Sequence, residues 1–133
     1  MSHDLDASKQ ILQLTQKLLD AIASKDWGTY HQLTDESISC FEPEACGNLV
    51  HGLPFHNFYF QLGGGSRPGN TTITQPHIRL LGEVAIVSYV RLIQSVGDAG
   101  PQTSDFEETR IWQKQGESWK QVHLHRSAIG TAR

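Results

Sequence analysis

Apolar positions recur at three- and four-residue spacing over residues 6–24. Ile11, Leu12, Thr15, Leu18, Leu19 and Ile22 fall on one stripe, so this segment reads as an amphipathic helix, with Asp4, Asp6 and Ser8 as candidate N-caps. Asp26 reads as the cap of a short second helix that turns Trp27, Tyr30 and Leu33 inward. The pattern then changes to alternation. Ser37–Phe41 predicts a short strand with Ile38 and Cys40 on one face, and Glu42-Pro43-Glu44 interrupts it, because proline cannot donate to a sheet ladder. A second short strand over Asn48–His51 stops at Gly52. Pro54 opens a third helix, to about Leu62, crowded with Phe55, His56, Phe58, Tyr59 and Phe60. Gly63–Asn70 reads as a flexible loop. Its three consecutive glycines have no strand before them and no Gly-Lys-Ser/Thr after them, which excludes a phosphate loop.

From Thr71 onward the chain reads as β. Thr71–Leu81 turns at Gly82-Glu83 into Val84–Val96, a longer loop covers Gly97–Asp105, and Phe106–Lys114 and Trp119–Ser127 form a hairpin around the polar turn Gln115–Ser118. Ile129–Arg133 reads as a frayed tail. Helices first and a meander afterwards predict an α+β fold with helices on one face of a bent sheet. The strand at 84–96 adds a constraint. Ala85, Val87, Tyr89, Arg91 and Ile93 share one face, while Val84, Ile86, Val90 and Leu92 share the other, so both faces are largely apolar. Three short helices cover one face only. A second copy of the chain is the simplest cover for the other.

Length and composition fit this picture. The 133 residues predict a single domain spanning 1–133, and 38% hydrophobic with 19% charged residues is ordinary for a globular chain. A net charge of −3 and a pI near 6.1 argue against a general nucleic-acid binder. There is no bilayer-length apolar run and no signal-peptide pattern, so no membrane association and a cytoplasmic location are expected. Cys40 and Cys46 read as reduced thiols.

The candidate chemistry sits on the strands. Arg91, Arg110 and Arg126 lie on three successive long strands among apolar neighbours, and an unpaired buried guanidinium is costly. In a curled sheet the three converge on one concavity, with Tyr89 on the Arg91 face and His56 at the mouth. Such a cleft favours a carboxylate. The competing reading pairs each arginine with an internal acid such as Glu42, Glu44, Glu107 or Glu108, and the two readings are compatible. By strand parity His123 and His125 share a face with Trp119, Gln121 and Ser127. No third ligand has diagnostic spacing, so no metal site and no cofactor is assigned. Asp105, Glu107 and Glu108 read as a solvated or arginine-pairing cluster. No nucleophile motif is present, and catalytic residues are not assigned.

Several stretches together resemble the association (hub) domain of calcium/calmodulin-dependent protein kinase II. They are Phe41-Glu42-Pro43-Glu44-Ala45, Gly47-Asn48-Leu49-Val50, Gly52-Leu53, Phe55-His56-x-Phe58-Tyr59-Phe60, Pro76-His77-Ile78, Glu107-Glu108-Thr109-Arg110-x-Trp112 and Val122-His123-x-His125-Arg126-Ser127. The resemblance runs from about Asp6 to Ser127. It implies a cone of the nuclear transport factor 2 superfamily, with a curved antiparallel sheet around a long N-terminal helix and two shorter helices. It also implies dimers assembling into a ring, a kinase partner, and a pocket in which Arg91, Arg110, Arg126 and His56 accept small carboxylates such as γ-hydroxybutyrate analogues. The family's loop after the aromatic helix commonly carries a tryptophan where this chain has Gly63-Gly64-Gly65, so a tryptophan-gated response is not expected. Kinase catalytic motifs are absent from the chain, which reads as a free-standing homologue. The alternative within the same superfamily is a small enzyme or binding protein for an acidic metabolite, with His56 or Glu42 as the acid–base group.

Overall fold

The computed structural model describes residues 2–62 and 69–129. The elements run α1 (Ser2–Ser24), α2 (Trp27–Gln32), β1 (Thr34–Phe41), a 3-10 turn (Pro43–Ala45), β2 (Val50–His51), α3 (Pro54–Gln61), β3 (Gly69–Leu81), β4 (Val84–Gly97), β5 (Gly100–Gln115) and β6 (Ser118–Ala128). The strands form one sheet in the order β2-β1-β6-β5-β4-β3. β3 to β6 are an antiparallel meander, β1 joins β6 in parallel, and β2 closes the edge antiparallel to β1. The α+β reading therefore holds.

The stripe on α1 explains why the helix lies on the sheet. Ile11, Leu18 and Leu19 pack in one cluster with Ala85, Val87, Tyr89, Trp112 and Trp119. Burying each such aliphatic side chain contributes about 1.5–3 kcal/mol. Asp26 caps α2 as its residue type predicts, its side chain accepting from the Thr29 amide at 3.1 Å. On β4 the inner positions Ala85, Val87, Tyr89 and Arg91 are buried. The outer positions Val84, Ile86, Val90 and Leu92 are only half-buried.

Bulges bend the sheet and change which side chains face inward. Register shifts fall in β3 between Thr74 and His77, in β1 between Thr34 and Ser39, and at the β5–β6 pairing between Ile111 and Trp112. The last is decisive. Ile111 pairs with His123 but Trp112 pairs with Gln121, so Val122 is the extra residue and β6 changes parity there. Trp119 and Gln121 are consequently buried on the core side, not on the histidine face where plain alternation puts them.

Several boundaries also differ from expectation, β1 starting at Thr34 and not Ser37, and β2 at Val50 and not Asn48. α1 starts at Ser2, so Asp6 and Ser8 lie within the helix and do not cap it. Residues 97–105 do not form a long loop. β4 and β5 continue until Gly97 pairs with Gly100, and Gly100 takes the positive φ (109°) that this tight turn requires. Gly69 and Asn70 belong to β3. The glycine run at 63–65 and the tail from residue 130 lie outside the described residues.

Candidate functional site

The site grows from the β4–β5 register. Tyr89 stands directly opposite Glu108, Arg91 is opposite Phe106, and Arg110 follows Glu108 by two residues on the same strand face. Four polar side chains therefore meet on the inner surface. The Tyr89 hydroxyl donates to Glu108 Oε1 at 2.5 Å and accepts from Arg110 Nε at 2.9 Å. Arg91 Nη1 donates to Glu108 Oε2 at 3.0 Å, and Arg110 Nη2 to Oε1 at 3.2 Å. Arg110 Nη1 donates to Gln121 Oε1 at 2.7 Å. Gln121 Nε2 in turn donates to the Thr34 hydroxyl at 2.9 Å, which donates to the Tyr30 carbonyl at 2.7 Å. The β6 bulge places Gln121 in this chain.

A second group sits where β1 ends. Arg126 Nη2 pairs with Glu44 and lies 3.6 Å from Glu42 Oε2, while its guanidinium stacks 4.7 Å from the Phe106 ring centre. Cys40 donates to Glu42 Oε1 at 3.6 Å and lies 3.4 Å from His56 Nε2. The other ring nitrogen, Nδ1, shares a 2.5 Å hydrogen bond with the Tyr30 hydroxyl.

Electrostatics separate the two groups. Burial alone pushes Glu108 up, but Arg110 and Arg91 outweigh it and hold the carboxyl below its usual range. Glu42 is shifted up, mainly by burial, against the pull of Arg126. Burial, reinforced by Glu42, pushes the Cys40 thiol up to about 12. Burial, helped by Arg110, lowers His56 to about 4, so its imidazole is neutral at pH 7.

Arg91, Arg110, Arg126 and His56 do line one cavity of about 200 Å³, together with Tyr30, Glu42 and Tyr59. Tyr89 is not on its wall and stands behind, bracing Arg110 and Glu108. The internal-acid reading also holds, since each arginine has a carboxylate partner. Spare donors remain. Arg91 Nε is buried with no hydrogen-bond partner. Of the acidic cluster only Glu108 turns inward, and Glu107 is exposed. His123 bonds the Ser39 hydroxyl at 2.7 Å and is not on the wall of this cavity. Sequence reasoning missed Gln121, hidden by the bulge, and the roles of Tyr30 and Cys40. For Tyr30 and Cys40 the signal was a polar group at an inward-facing position; for Gln121 plain alternation carried none.

Against known proteins, a family model described as "Calcium/calmodulin dependent protein kinase II association domain" matches residues 7–130. The chain belongs to this association-domain family. It is 46% identical over 124 residues to the Drosophila melanogaster calcium/calmodulin-dependent protein kinase type II alpha chain, covering 90% of this chain but 23% of that one. The association domain of the C. elegans kinase aligns with a TM-score of 0.92 and 41% identity, covering 96% of this chain and 100% of that one. The S. rosetta hub gives a TM-score of 0.84 and 42% identity, covering 91% and 95%. At 20% identity, an NTF2-like protein from Cytophaga hutchinsonii still reaches a TM-score of 0.77 over 92% of this chain and 98% of that one, which establishes the fold of the association domain as NTF2-like.

Proposed function

We propose that the chain is a self-associating hub whose dimers assemble into a ring, and that its cavity takes a small carboxylate. The observation carrying the first part is the outer face of β4. Val84, Ile86, Val90 and Leu92 lie half-buried on the side away from α1, and membership of an association-domain family supports a second copy as their cover. Native mass spectrometry tests it. The expected mass is near a dozen subunits, and a mass at or below two subunits refutes the ring.

The cavity reading rests on its donors. The orphaned Nε of Arg91, with the guanidiniums of Arg110 and Arg126 lining the same cavity, offers cationic donors for a carboxylate. Calorimetry with γ-hydroxybutyrate as probe tests it: Arg110→Ala and Arg126→Ala should each weaken binding by roughly 1.5–3 kcal/mol. Unchanged affinity in both variants defeats this assignment. A catalytic reading has less behind it, because both ring nitrogens of His56 are already engaged, by Tyr30 and by Cys40. Family membership supports, as part of this proposal, service to a kinase in the same chain or another.

A further inference from the structure

We propose that Cys40, Glu42 and His56 form a three-ligand site for a borderline-soft divalent cation, zinc foremost, with its fourth position open to the cavity. The proposal does not depend on carboxylate binding. One ligand atom from each residue lies within 4.8 Å of the others. Zinc bonds of about 2.3 Å to sulfur and about 2.0–2.2 Å to nitrogen or oxygen, set at tetrahedral angles, separate the ligand atoms by about 3.3–3.6 Å. The Cys40 Sγ to His56 Nε2 distance is 3.4 Å and Sγ to Glu42 Oε1 is 3.6 Å, so those two edges already match.

The surroundings support ligation. Cys40 is fully buried and His56 is 6% exposed, so both are held by packing and not by surface chance. The Tyr30 hydroxyl at 2.5 Å from Nδ1 fixes the ring with Nε2 toward the sulfur, as outer hydrogen bonds do at zinc sites. Glu42 faces Cys40 with Oε1 and Arg126 with Oε2, so one carboxylate oxygen remains for a metal while the other keeps its ion pair. A thiolate and a carboxylate bring two negative charges, which neutralise the cation beside Arg110 and Arg126. A sulfur, nitrogen and oxygen set with one open position is the donor set of a water-bearing zinc centre. Binding is a simple exchange. The thiol loses its proton to solvent, a sulfur–metal bond forms, and the cation sheds water, with no change of oxidation state.

Cobalt(II) is the probe, because a thiolate ligand gives it a near-ultraviolet charge-transfer band and tetrahedral coordination gives intense visible bands. The full chain, stripped by chelator, should bind one equivalent of cobalt with both signatures, and zinc should displace it. Cys40→Ser should abolish the charge-transfer band and the thermal stabilisation by zinc, and His56→Asn should weaken binding at least tenfold. Cys46→Ser should keep the band. Should Cys40→Ser unfold, Glu42→Gln serves instead, with a weakened band and an intact fold expected. No thiolate band in the unmodified chain overturns the proposal. So does a band that survives Cys40→Ser or disappears in Cys46→Ser. In either case the three groups only hydrogen-bond to one another.

Discussion

Two arginine clusters share one cavity but differ in depth. Around Glu108, side-chain exposure is 7% or less for Arg91 and 1% or less for Arg110 and the carboxylate itself. Around Arg126 it is 12% for the arginine and for Glu42, rising to 38% for Glu44. In the deep cluster both carboxylate oxygens of Glu108 are engaged, and Arg91 Nε is left without a partner. The shallow one is an ion-pair group at the lip, Arg126 with Glu42 and Glu44, backed by a buried thiol and a buried neutral imidazole. Depth sets the consequence of losing a partner, because a charge left unpaired in the interior has no water to turn to. The deep cluster is scaffold first, and the shallow one is free to respond to what enters.

Removing the central carboxylate should have the largest effect. Glu108→Gln leaves two buried guanidiniums without their counter-charge and should cost about 3–5 kcal/mol by chemical denaturation. A cost under about 1 kcal/mol would show the deep cluster to be no more structural than the lip. Gln121→Ala comes next. It strands Arg110 Nη1 and removes the donor to the Thr34 hydroxyl, which keeps its bond to the Tyr30 carbonyl, and should cost about 1–3 kcal/mol. Acid provides a third test. The folded pKa of Glu108 is depressed from 4.5, so its stabilisation is complete above that pH and is lost as the pH falls below it. Denaturation midpoints of the unmodified chain should fall faster with acid than those of Glu108→Gln, and parallel curves would assign the acid sensitivity elsewhere. Smallest of all, Glu44→Gln should change stability by about 0–1 kcal/mol, since Glu44 is partly exposed and water screens its pair with Arg126.

Much of this was legible before any coordinates. The 3.6-residue stripe on α1, the Asp26 cap and the alternation on β4 reflect local geometry, and each appears where it was expected. The convergence of Arg91, Arg110, Arg126 and His56 was also readable, because guanidiniums among core residues demand company. The partners were less so. Glu107 and Glu108 are equivalent by composition, and only parity on β5 sends one inward. Gln121 was hidden because its facing depends on an extra residue at Val122, and a bulge leaves no mark in the hydrophobic pattern.

The amino-acid order alone determined the kinds of elements, their succession and the presence of buried cations, since periodicity and desolvation cost act on near neighbours. Tertiary structure decided which acid meets which arginine and brought Cys40 of β1 beside His56 of α3, sixteen residues later in the chain. It did so because register, bulges and sheet curvature are set by packing over the whole core, and a slip of one residue exchanges the inside of a strand for its outside.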